Sequence, residues 1–201
     1  MNSIKEQIIK ILIEVKRTGM EGLIKFLEES DFFTAPASTK YHGSYEEGLS
    51  EHSLNVFTAL STKNDTYNLG LDKDTVAITA LLHDVCKTDF YKKGIKNVKE
   101  GKKINWKGQE VDNWVEKEIW EVEDRLPFGH GEKSVIIIMK YIELTDLEIA
   151  MIRWHMGAFE SKDNLALQNA MNMWPQVVAM HTADLEASYI MENKEKDELI
   201  V

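Results

Sequence analysis

The sequence predicts an all-α fold carrying one small β-hairpin insertion, and three observations predict it. Apolar residues recur at helical spacing through most of the chain, capping residues stand where several of those runs begin, and a glycine-punctuated stretch from Tyr91 to Phe128 breaks the helical period. Three prolines among 201 residues leave little room for an extended linker, so the chain reads as a single domain over 1–201. Within it we expect a helical N-terminal extension at 1–40, a core at 41–192 and an insertion at 90–128.

Each element has a local reason. Ile4, Ile8, Ile11, Leu12 and Val15 line one helical face, and Met20, Leu23, Ile24 and Leu27 continue it after Gly19, as two short helices or one bent one. The segment FFTAPASTKYHGSYEEG has the small, polar and glycine-bearing composition of a loop. A helix is expected to restart near Ser50 as N-cap, with Leu54, Val56, Phe57 and Leu60 as its buried stripe. Asp72 is placed to cap the next helix, which is apolar nearly all round from Val76 to Val85 and therefore belongs at the centre of the molecule. Gly94, Gly101 and Gly108 divide segments such as KKINW and IWEVED, some of them alternating, which is hairpin patterning. The helical period returns in VIIIMKYIEL. Thr145 followed by Glu148 is a capping box opening LEIAMIRWHM, and helical segments at LALQNA and near 174–192 close the chain.

Composition narrows the function classes. The apolar fraction of 43% and charged fraction of 29% are those of a soluble globular protein, and no apolar run approaches the roughly 20 residues of a membrane span. Lys5, Glu6, Lys10, Glu14 and Lys16 interrupt the N-terminal aliphatics, unlike a signal peptide. Cys86 is the single cysteine, so neither an internal disulfide nor a cysteine-based zinc site can form; a reducing, cytoplasmic compartment fits. A net charge of −10 and a pI near 5.1 disfavour a nucleic-acid partner read through its phosphate backbone. The lysines at 92, 93, 96, 99, 102 and 103 read as a solvated loop surface.

Chemistry concentrates at ALLHDVCK, residues 80–87, where an imidazole and a carboxylate stand side by side in the most apolar helix. Burying either without a partner is costly. Neighbours in a helix point about 100° apart, so His83 and Asp84 are better placed to grip one ion between them than to satisfy each other. A divalent cation or a buried hydrogen-bonded pair would answer the problem. Imidazole and carboxylate donors without sulfur suit Mn, Fe, Co, Ni or Zn. Six histidines occur, at 42, 52, 83, 130, 155 and 181, mostly at helix ends or glycine-flanked turns from which separate elements converge. The aromatic and methionine residues Trp154, Met156, Met171, Met173 and Trp174 read as core packing.

LSEHSLNV, then LLHDVCK, then HTADLEAS resemble the H…HD…D pattern of the HD-domain superfamily of metal-dependent phosphohydrolases, over roughly residues 41–192. The resemblance implies an all-α helical bundle and assigns His52, His83, Asp84 and Asp184 as ligands of a first metal. FGHGEKS and RWHMG supply His130 and His155, the two further histidines of the branches with a binuclear centre, which implies a second ion bridged by Asp84. Lys87 falls on the lysine of HD-x-x-K and would act with Asp84 in catalysis by contacting a substrate phosphate; its plain alternative is a helix-terminal lysine favoured by the macrodipole. Cys86 stands where many members have glycine. His42, in the glycine-bearing loop, and His181, three residues from Asp184, are further candidates for substrate contact, His42 the better of the two and His181 read first as a core hydrogen-bonder.

The implied activity is hydrolysis of a phosphoester in a nucleotide or related small phosphorylated molecule, by hydroxide drawn from a metal-activated water. Three alternatives share the ligand set or the fold. They are an HD-fold diiron oxygenase, a 3′-5′ exoribonuclease resembling the YHGSYEEGLSEHS region, and a non-catalytic nucleotide-binding module.

Overall fold

In a computed structural model, which describes residues 3–39, 43–159 and 164–192, eight α-helices and one two-stranded ribbon follow in the order expected. The helices are α1 (Ile4–Glu14), α2 (Met20–Glu29), α3 (Gly48–Tyr67), α4 (Lys73–Leu82), α5 (His130–Ile138), α6 (Asp146–Arg153), α7 (Asn164–Met173) and α8 (Pro175–Glu186). The ribbon pairs β1 (Tyr91–Ile104) with β2 (Glu110–Val122) between α4 and α5. All-α is thus right for the body and needs the hairpin beside it. Among the described residues, no helix is long and apolar enough to cross a membrane.

Local signals hold where their partners are local. The Asp72 carboxylate accepts from the Thr75 N–H at 2.7 Å and opens α4. The Thr145 hydroxyl accepts from Glu148 N–H while Glu148 accepts from Thr145 N–H, the reciprocal capping box of α6. An unexpected box, Ser3 with Glu6, opens α1. Ser50 is a correction: α3 begins at Gly48 after Glu47, and the buried Ser50 hydroxyl donates to the Glu47 carbonyl instead of capping.

Helix α4 is the centre. Every residue from Thr75 to Leu82 is buried. Ile78, Leu81 and Leu82 enter one apolar cluster with Ile8, Leu12, Leu23, Leu27 and Ile138, while Val76 and Ala80 enter a second with Val56, Leu60, Met151, Val177 and Met180. Each fully buried Leu or Ile contributes about 1.5–3 kcal/mol, so the helix that ends at the HD pair is anchored from both sides. The N-terminal helices share the first of these clusters and are tied further by a charge network. Arg17 donates to both Glu148 oxygens, at 2.9 and 3.1 Å, and to the Glu143 carbonyl at 2.7 Å. Burial raises the Glu148 carboxyl, but Arg17, the Thr145 N–H and the Thr75 hydroxyl outweigh it and hold the group below 4.5.

The insertion is longer than a small hairpin. Antiparallel pairing runs from Tyr91 opposite Val122 to Ile104 opposite Glu110, with a bulge between Lys99 and Lys102. Its turn is closed by Asn105, whose N–H donates to the Gln109 carbonyl and whose side chain accepts from the Lys107 and Gln109 N–H groups. Trp106 at the tip is 89% exposed. Of the lysines expected at the surface, Lys99 faces Asp112 and Lys102 faces Glu110, and Lys117 on the other strand pairs with Glu100. Met173 is a second correction to the core reading, since its side chain is exposed at the end of α7.

Candidate metal centre

His83 and Asp84 do not lie within a helix. Helix α4 stops at Leu82, His83 is its C-cap, and Asp84 (φ −108°, ψ 18°) passes the chain to a 3-10 turn at Val85–Lys87. Leaving the helix frees the Ala80 carbonyl, and the His83 Nδ1–H donates to it at 2.8 Å. His155 repeats the device just past the end of α6, its Nδ1–H donating to the Ile152 carbonyl at 2.7 Å. His52, inside α3, donates its Nδ1–H to the Glu192 carboxylate at 3.0 Å. All three imidazoles therefore present Nε2, and all three are fully buried.

These nitrogens meet two carboxylates. His52 Nε2 lies 3.2 Å from His83 Nε2 and 3.1 Å from Asp184 Oδ1, which α8 delivers. Asp84 turns its two oxygens to different histidines: Oδ2 stands 3.5 Å from His83 Nε2 and 3.7 Å from His52 Nε2, whereas Oδ1 stands 3.4 Å from His155 Nε2. Two overlapping donor groups result, His52 with His83 and Asp184, and His83 with Asp84 and His155, each with its ligand atoms within 4.8 Å of one another. The Lys87 ammonium closes on Asp84 Oδ2 at 2.6 Å.

The polar groups are under-satisfied by the protein alone. Among the described residues, Asp84 Oδ1 and His155 Nε2 have no hydrogen-bond partner although both are buried. Two Nε2 atoms 3.2 Å apart, with both Nδ1 protons committed elsewhere, repel unless a proton or a cation lies between them. Without a metal, His52 answers by holding a second proton: burial pushes it down, but Asp184 and Glu192 prevail and raise it to about 9. His155 is likewise raised by Asp84 and Asp184 against its burial, and His83 is lowered by burial. Burial raises both aspartates, yet Lys87 with His83 and His155 holds Asp84 well below its usual range, and His52 with His83 and His155 does the same for Asp184. Imidazole and carboxylate donors aimed inward, with Asp84 Oδ1 and His155 Nε2 lacking a hydrogen bond among the described residues, fit a divalent transition metal.

The remaining candidates lie apart from these groups. His130 is the first residue of α5, its Nδ1 3.5 Å from the Cys86 sulfur and its ring 6.1 Å from that of Phe90. Its helix is held close to the end of α6 because Gly131 lets the Arg153 carbonyl approach where any Cβ would collide. Cys86 is buried, and burial with the nearby Asp84 pushes its thiol up to about 12, so it is an inert packing group. The His181 Nδ1–H donates to the His155 carbonyl at 2.6 Å, which serves the backbone of a candidate ligand. His42 lies outside the described residues. A groove of about 880 Å³ bounded by Ile11, Phe57, Asn64 and Lys73 contains none of these side chains.

A family model for the HD domain matches residues 49–191. The chain belongs to the HD-domain family. The match starts at the beginning of α3 and ends at the turn after α8, so α1 and α2 lie outside it. HD domains as a superfamily are metal-dependent phosphohydrolases, and the two donor groups here are ones that could hold such a metal. This HD domain is similar to the 3′-5′ exoribonuclease YhaM of Bacillus subtilis, with 28% identity over 89 residues, a stretch covering 43% of this chain and 28% of the relative. The chain thus matches well under half the length of that relative, and no solved structure matched it.

Two buried charged groups escaped the sequence reading. Glu192 accepts the His52 proton from 140 positions away, a pairing with no local signal. Lys133, nearly fully buried in α5, pairs with Asp124 at 2.7 Å and lies over the Phe90 ring; its sole hint was a lysine one turn after His130, opening an apolar helix.

Proposed function

We propose that this HD domain hydrolyses a phosphoester with a binuclear centre. His52, His83, Asp84 and Asp184 would hold one divalent cation, and Asp84, His155 and His130 the second. The observation that carries this is Asp84, whose two oxygens face different histidines while Oδ1 lacks a hydrogen bond. His130, whose Nδ1 stands 3.5 Å from the Cys86 sulfur, would complete the second position. Such ions, when bound, yield a nucleophile from water near neutral pH and neutralise phosphate oxygens.

The chain's own groups supply the rest. Lys87 is buried and raised by Asp84 against the cost of burial, so it stays an ammonium at any working pH. It sits at the mouth of β1, where Tyr91 feels its charge, and would offer that charge to a phosphate oxygen. Asp184 and Asp84 remain ionised, as ligands must. A small phosphorylated substrate, a nucleotide above all, suits a chain of net charge −10. The second reading, trimming of RNA from its 3′ end, is favoured by the exoribonuclease name of the B. subtilis relative.

The test is metal analysis of the purified protein, joined to phosphate release from a panel of nucleotides and phosphomonoesters and to shortening of 5′-labelled single-stranded RNA. Lys87→Met should retain the metal and lose about 10²–10³-fold in turnover. Less than one metal per chain, with Asp84→Ala matching wild type in metal content and turnover, refutes the proposal. Shortened RNA without release from small phosphoesters selects the second reading.

A further inference from the structure

His52 differs from its two companions in how its tautomer is set. His83 and His155 stand at helix ends, where the carbonyls of Ala80 and Ile152 have lost their helical partners and take the Nδ1–H. His52 is the fifth residue of a 20-residue helix, where backbone carbonyls are engaged in the helical ladder. Its proton goes instead to Glu192 Oε1, which also accepts from the Asn55 amide at 3.2 Å.

The backbone is bent to make that contact. Helix α8 ends at Glu186 and continues as a single π turn, Ala187–Met191, closed by the Glu192 N–H donating to the Ala187 carbonyl five residues back at 3.0 Å. One extra residue in the turn rotates the following side chain by about 100°, and such π turns cluster at functional sites. The Glu192 side chain is 1% exposed, and among the described residues its second oxygen makes no hydrogen bond. A buried carboxylate with one half unsatisfied is costly, so its position calls for a partner that repays it.

We infer that Glu192 is a positioning residue, holding His52 in the tautomer and orientation that present Nε2 to the cation. The inference rests on the metal-centre reading above. A carboxylate behind a metal-binding imidazole fixes the ring and strengthens it as a donor, and losing such a partner typically weakens metal affinity by about 10–100-fold.

The experiment titrates Mn²⁺ into the purified full chain, following free Mn²⁺ by electron paramagnetic resonance, for wild type, Glu192→Ala, Glu192→Gln and, as a surface control, Glu116→Gln on the exposed ribbon. We expect Glu192→Ala to raise the Mn²⁺ Kd about 10–100-fold, Glu192→Gln to raise it less, and the control to match wild type. In the Zn²⁺-loaded protein the His52 Nδ1–H should give a slowly exchanging ¹H–¹⁵N signal that Glu192→Ala removes while the circular dichroism spectrum is unchanged. A Kd within threefold of wild type, or a retained Nδ1–H signal, in a folded variant overturns the role of Glu192. Should Glu192→Ala not fold, Glu192→Gln decides by the same Kd threshold. Wild type binding no Mn²⁺ would overturn the metal centre itself and this role with it, an outcome distinct from a wild type that binds and variants that do not differ.

Discussion

Replacing Asp84 with asparagine keeps the side chain's shape and removes the charge on which three imidazoles and Lys87 converge. Two effects follow, and they separate by metal. Without metal, the variant leaves the Lys87 ammonium, 7% exposed and 2.6 Å from Oδ2, with no counter-charge among the described residues, a loss of about 3–5 kcal/mol in a buried pair. With metal, wild type gains about 2.7 kcal/mol when Mn²⁺ stands at 100 times its Kd. For a chain of this length each kcal/mol moves Tm by about 2–4 °C, so wild type should melt about 5–11 °C higher in Mn²⁺ than in chelator. Asp84→Asn should melt lower than wild type in chelator and gain almost nothing from Mn²⁺, because in the proposed centre Asp84 would be a ligand of both cations. The double variant Asp84→Asn/Lys87→Met removes the orphaned charge and should recover most of the chelator-state loss without regaining the Mn²⁺ response. Differential scanning calorimetry reads all three proteins. An Mn²⁺ shift in Asp84→Asn equal to that of wild type would refute the placement of Asp84 at the centre.

Two further outcomes follow from the scaffold. Glu148→Gln weakens the charge-assisted bonds to Arg17 and the capping of α6, and should cost about 2–3 kcal/mol in urea unfolding at pH 7. Because the folded carboxyl is held below 4.5, its contribution is fully present above that pH and fades as pH falls through the lower folded value; the gap between wild type and variant must therefore narrow in acid, and a gap that widens below pH 4.5 would contradict this sign. Gly157→Ala places a side chain at φ +58° with its Cβ 2.6 Å from the His181 ring, so it should lower stability by about 1–3 kcal/mol and disturb the hydrogen bond from His181 to the His155 carbonyl; an unchanged Tm would show that the ring yields freely.

Legibility followed the range of the interactions. Asp72 and the Thr145–Glu148 box were readable because their partners lie three residues away, and α4 was readable as central because it is apolar nearly all round from Val76 onward. Ser50 misled because a serine hydroxyl serves an N-terminal carbonyl as readily as it caps, and only the path of the preceding loop decides between them. The HD pair was found by its chemistry, but its place at the helix end was not, since the 3-10 turn at Val85–Lys87 depends on packing against α5, where the Ser134 hydroxyl takes the Cys86 N–H.

The order of histidines and aspartates along the chain and their setting at the edges of apolar helices were determined by the sequence alone, and they sufficed for the family. Tertiary structure decided which oxygen of Asp84 faces which histidine, that Lys87 closes on the same carboxylate, and that the proton of His52 is taken by Glu192. The physical reason is reach. Helical period and caps act over a few residues, whereas the direction of a ring nitrogen is set by an acceptor that only the packing of α3 against α8 and its π turn brings into range.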